Sequence, residues 1–223
     1  MTATTAPDHG SRVRRRSRLT TALATAGTAV TLLASEVLDP VGDGTAENFV
    51  AAATGHRAAM ITSAWLLLVS AVLLLPAVVG VVRLVPGRGA GLAHAGAVLL
   101  TLGAFGHAMA GTFYLVAAEL PSPLGVQRAE VAIDHLNGSA ALAPSFVFIM
   151  AFALGLLLAF IGLHRGGVVP GWVLGAVAGA FAIEVVAPGD VPAVAVVKQA
   201  LALVAFVYLA VVLWRGSEVA RAA

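Results

Sequence analysis

The feature that most restricts this chain is a series of long apolar runs, each about as long as a bilayer core is thick. The clearest lies between Ala64 and Val82, where Ser70 alone carries a hydroxyl and nothing carries a charge. A helix rises about 1.5 Å per residue, so a hydrocarbon core of about 30 Å takes about 20 residues. Six runs are near that length, at about 19–38, 58–84, 90–120, 140–164, 170–187 and 193–214. In lipid each segment must satisfy its own backbone N–H and C=O groups, which makes such runs helices. Only 11% of the residues are charged, against about 25% in a soluble domain that must coat its surface. The expected fold is therefore all-α: a polytopic membrane protein with a six-transmembrane-helix bundle.

Arginine placement orients the bundle. With the N-terminus inside, the cytoplasmic pieces hold Arg12, Arg14, Arg15, Arg16, Arg18, Arg83, Arg88, Arg165, Arg215 and Arg221, which is 10 of the 13 basic residues. Arg57, Arg128 and Lys198 fall on the outer side, with most of the acids. Both termini are expected in the cytoplasm, as tails over 1–18 and 215–223, in a multi-pass protein of the cell membrane. The basic N-terminal run directly precedes an apolar segment, so it reads as a topogenic flank and no nucleic-acid partner is expected. A cleaved signal peptide ending near Ser35 is the competing reading of segment one; it would leave five helices. Twelve of the thirteen basic residues are arginine, which suggests a GC-rich bacterial genome.

The chain has no cysteine, so disulfides, thiolate metal sites and cysteine nucleophiles are excluded. There is no Walker loop, dinucleotide fingerprint or HExxH. Gly96, Gly103, Gly106, Ala110 and Gly111 read as small residues that let helices approach closely. Thr21, Thr25, Thr28 and Ser35 read as a helix–helix seam. In the outer loops, residues 124–137 have the spacing of a short amphipathic helix, with Val126, Ala129, Ile133 and Leu136 on one face. Residues 45–57 read similarly.

The polar residues that remain within or beside the segments are the functional candidates. His107 lies near the centre of segment three, where an ionisable group is costly and turns to the bundle interior. Gly103, Gly111 and Tyr114 share its face, and its hydrogen-bond partner is expected among Glu36, Ser63, Ser70 and Ser145. The helix ends bring a second group to the outer level: Glu36 and Asp39, spaced i, i+3; His56 at the start of segment two; Glu119 at the end of segment three; Asp134 and His135 before segment four; and Glu184 near the end of segment five. Glu36, His107, Glu119, Asp134 and His135 are candidate acid–base groups or metal ligands. Asp39, His56, Tyr114 and Glu184 are candidate ligand-binding groups. The tight Pro188–Pro192 turn makes segments five and six antiparallel neighbours, which predicts an ion pair between Glu184 and Lys198. The cofactor is left open. His94 with His164 and His107 with Met150 have chemistry suited to haem ligation, but helical phase sets His94 and His107 about 140° apart. That argues against two haems.

Three function classes follow. Binding of a lipid, small hydrophobic ligand or partner subunit in an outer-half polar pocket is placed first. A membrane-embedded enzyme acting on a lipid-like substrate is the alternative. Transport is third, because repeated halves with matching broken helices are not evident. A homo-oligomer is left open.

Overall fold

A computed structural model describes residues 9–42, 44–85, 87–140, 142–186 and 192–216. Of the expected tails over 1–18 and 215–223, residues 1–8 and 217–223 lie outside the described residues, as does most of the Pro188–Pro192 turn; residues 9–18 are helical and form the start of the first helix. Among those described, the regular elements are all helices: α1 (His9–Leu38), α2 (Ala46–Gly55), α3 (Arg57–Leu84), α4 (Ala90–Glu119), α5 (Pro121–Leu124), α6 (Val126–Asn137), α7 (Ala143–Arg165), α8 (Gly171–Val186) and α9 (Pro192–Arg215). The six expected segments fall on α1, α3, α4, α7, α8 and α9. Five stretches are long and apolar enough to cross a membrane: Arg16–Leu38, Arg57–Leu84, Ala90–Leu124, Ala143–Arg165 and Val194–Arg215. The expected six are thus met at five. The difference is α8, whose 16 residues rise about 24 Å, short of a full core.

The six long helices close a ring in chain order. α1 packs on α3, α3 on α4, α4 on α7, α7 on α8, α8 on α9, and α9 back on α1. The two amphipathic helices expected in the loops form as α2 and α6. They pack against each other and cap one end of the ring. Thr45 caps α2, its hydroxyl accepting from the Asn48 N–H. α6 buries Ala129 and Ile133, and its Asn137 side chain donates to the Gly44 carbonyl at 3.3 Å. These residues join Val41, Phe49, Val50 and Met60 in a small cap core.

The larger core fills the opposite half of the ring. Leu74, Val78, Val81, Leu100, Phe160, Leu163, Val173, Phe206, Leu209 and Leu213 converge there. The threonine stripe of α1 is a packed seam, as expected. Thr25 and Thr28 are fully buried, and each hydroxyl donates to a carbonyl one turn back, Thr21 O at 2.8 Å and Ala24 O at 2.9 Å. Ser35 crosses to α3, its Oγ 2.9 Å from Ser63 Oγ.

The closest approach is between α4 and α7. Gly89 at the cap of α4 and Gly96 and Gly103 within it recur every seven residues, and Gly155 and Gly162 do so on α7. A Cβ built on Gly96 would lie 2.4 Å from Ala159 N and 2.7 Å from Gly155 O; one on Gly162 would lie 2.5 Å from Ala93 N. Backbone meets backbone there, so no side-chain rotation relieves the clash. Gly96→Ala should destabilise the bundle by about 1–3 kcal/mol. Gly91→Ala, on an α4 face with nothing within 4 Å, should be neutral or gain up to about 1 kcal/mol of helix propensity. Thermal unfolding of the two variants in detergent, read by circular dichroism, checks the contrast; equal melting points would show that α4 and α7 do not touch through glycine.

Candidate functional site

The ring borders a half-open cavity of about 200 Å³ in its capped half, with walls from all six long helices. Leu32, Leu67, Ile149, Phe152, Ala180 and Phe181 give it an apolar lining. Leu156 and Val177 belong both to its wall and to the large core, so the core forms its floor. Its polar groups are Ser35 and Glu36 from α1, His107 from α4, Glu184 from α8, and Lys198 and Gln199 from α9.

His107 is 7% exposed. Its place follows from α4's register. Gly103, one turn before it, is pressed against Phe152 of α7, while Gly111, one turn after, faces Ala64 and Leu68 of α3. The azimuth between those two contacts points into the ring. The Phe152 ring lies 4.6 Å from the imidazole, centroid to centroid. Ser70 Oγ is 3.4 Å from His107 Nδ1, and the Ser70 hydroxyl donates to Leu67 O at 2.7 Å. With its proton committed there, Ser70 accepts from Nδ1–H. That tautomer leaves Nε2 with a lone pair and no hydrogen bond among the described residues, on a residue that lines the cavity. Ser70 was among the four partners expected from the sequence.

Two pairs complete the polar wall. Lys198 Nζ lies 2.7 Å from Glu184 Oε2, both half-buried, which is the ion pair expected of antiparallel neighbours. Gln199 Nε2 donates to Glu36 Oε2 at 3.4 Å. Gln199 and Ser35 were not among the candidate site residues. Gln199 follows Lys198 directly, and the step of about 100° around α9 turns it to α1 while Lys198 meets α8.

The other candidates lie elsewhere. Asp39 and Tyr114 meet beneath the cap, where the Tyr114 hydroxyl donates to Asp39 Oδ2 at 2.8 Å and Val41 N–H donates to Oδ1 at 3.0 Å. Phe49 stacks edge-on against Tyr114. Arg57 pairs with Glu119 on the surface. His56, Asp134 and His135 are exposed at the capped end. Among the described residues no three His, Asp or Glu side chains gather closely enough to hold a metal ion. At the far end His94 and His164 are exposed, and their Nδ1 atoms bond to the carbonyls of Ala90 and Val169. Comparison with protein-family models, with curated proteins and with solved structures finds no match.

The Asp39 clasp gives a pH-dependent stability. Burial raises the Asp39 carboxyl above its ordinary 3.8, against the opposing effect of the Val41 and Tyr114 hydrogen bonds. The folded chain therefore holds this proton to higher pH than the unfolded chain. Where that is so, stability falls as pH rises. Asp39→Asn keeps an acceptor for Val41 and cannot ionise. Melting the two proteins at about pH 4 and about pH 7, on either side of the raised carboxylate range, should show a smaller difference for Asp39→Asn. An unchanged difference would remove Asp39 as its source.

Proposed function

We propose that this chain is a six-span protein of the cell membrane, with both termini cytoplasmic, that binds a lipid or small hydrophobic molecule in the His107 cavity. The observation that carries the reading is a nine-tenths-buried histidine with one nitrogen unpaired, lining an apolar-walled cavity inside the bundle. A polar group in such a place costs free energy unless something satisfies it. Ligand pockets have this make-up, an apolar lining with a few placed polar groups. At about 200 Å³ the cavity is smaller than the usual 300–1,000 Å³ or so of drug-sized sites, so it suits a head group and the start of a chain. Six crossings are supported by α8, which joins α7 to α9 in the ring and carries the Glu184 partner of Lys198. Acid–base chemistry on a bound lipid-like substrate is the second reading. It is favoured by Glu36 and His107 sharing one cavity.

Topology is tested by single cysteines in this cysteine-free chain. Ser122→Cys, exposed at the capped end, should react with an impermeant maleimide in intact cells, and Arg88→Cys, exposed at the other end, should not. Labelling of Arg88→Cys alone would reverse the orientation.

Binding is tested by native mass spectrometry of the protein released from its membrane. Wild type should retain a stoichiometric lipid or hydrophobe. Ala153→Leu and Ala180→Leu, which fill the cavity wall, should lose it while remaining helical. Equal retention by the filled variants would place the bound molecule elsewhere and overturn the proposal.

A further inference from the structure

The polar wall of the cavity is unbalanced, and the imbalance specifies chemistry. Glu36 and Glu184 each bring a carboxylate, Lys198 brings one cation, and that cation is held by Glu184 at 2.7 Å. Glu36 has no cationic partner within ion-pair distance among the described residues; its contact across the cavity is the neutral Gln199 amide, at 3.4 Å. On the other wall His107 offers Nε2 as an acceptor, its Nδ1 being engaged by Ser70. The groups not already paired are thus two acceptors, one of them a carboxylate, within a largely apolar chamber. A cation carrying N–H donors answers both at once. A quaternary ammonium would answer the charge but has no N–H for His107. An anion would meet Glu36 with like charge and no free cation to compensate.

Resting on the binding reading above, we infer that the occupant is an amphiphile whose head is a protonated primary or secondary amine. The ammonium sits between Glu36 and His107, one N–H donating to the Glu36 carboxylate and another to Nε2. Its chain leaves along the seam of α7 and α8, whose Phe152, Ala153, Val177, Ala180 and Phe181 line the cavity. That seam is the least closely packed of the six in the ring. The same head chemistry is found on a free long-chain amine and on an ethanolamine lipid.

The probes are dodecylamine, dodecyltrimethylammonium and dodecanol. They are titrated by calorimetry into the protein in phosphatidylcholine nanodiscs, with empty discs subtracted. Dodecylamine should bind at least about tenfold more tightly than the other two, as expected for a charge-assisted hydrogen bond made in a buried site. Glu36→Gln should remove most of that preference. His107→Asn places an amide where Nδ1 stands and can keep the Ser70 bond, but it withdraws the cavity acceptor. His107→Gln reaches the Nε2 position instead. The amine preference should fall with Asn and be largely retained with Gln, with far-ultraviolet circular dichroism showing that all three variants are helical. Adding phosphatidylethanolamine to the discs should weaken dodecylamine binding if the lipid is the occupant, and leave it unchanged if the free amine is. If the three probes bind wild type equally and are all lost in Ala153→Leu, the cavity binds ligand but the amine inference falls. If no probe binds above the empty-disc signal, the binding reading falls with it.

Discussion

The α4–α7 seam is the contact on which the rest of the bundle depends. In lipid, apolar faces gain little by leaving acyl chains for one another, so helices associate where backbones can come close. Glycine every seventh residue on both sides provides that approach along about four turns from Gly89 to Gly103. The seam also fixes rotation. Gly103 seats Phe152, and one turn later His107 is carried past the α7 contact into the interior, with Phe152 against its ring. A different seam would turn the same histidine away from Ser70 and the cavity.

Around that seam the ring satisfies its polar groups in two ways. Hydroxyls on α1 bond one turn back within their own helix, as at Thr25 and Thr28, and so ask nothing of a neighbour. Other groups cross between segments: Ser35 to Ser63, Lys198 to Glu184, Tyr114 to Asp39. No fully buried side-chain nitrogen or oxygen among the described residues lacks a partner. The unpaired Nε2 of His107 is therefore not fully buried, and it and the weakly held carboxylate of Glu36 belong to residues that line one chamber.

Much of this was legible from residue order. Spans follow from apolar length, and the helix ends at Leu38, Leu84, Glu119 and Arg165 fall within a residue or two of the expected bounds. The Glu184–Lys198 pair follows from a short turn between two helices. The buried His107 follows from depth alone, because lipid makes a central imidazole too costly to leave facing outward. What could not be read was which neighbour each face meets. Gly103 and Gly111 sit about 80° apart on one helix, yet they contact different partners, α7 and α3. Nothing in residue spacing records the closing contact of α9 on α1. For the same reason the outer carboxylates looked like one group on a shared level. Level fixes height along the bundle but not position around it, and Glu36 and Glu184 line the cavity while Glu119 and Asp134 lie on the surface.

The cavity's floor bears on the transport reading. A permeation path must be open, in some state, toward both faces of the membrane. Here the uncapped half is filled by Leu74, Phe160, Leu209 and their neighbours, and interiors packed in this way do not deform continuously. Opening a passage through them would require α3, α7 and α9 to separate by more than a side-chain rotation. Among the described residues no long helix is interrupted in the way that lets transporters hinge at midplane; α3 runs on through Pro76 without a break. The polar groups are also arranged on one side of the floor only. A solute reaching His107 finds Glu36, Glu184 and Lys198 toward the cap and, in the other direction, hydrocarbon. A chamber closed at one end, polar near its middle and bordered by a loosely packed seam supports the proposed binding reading over passage.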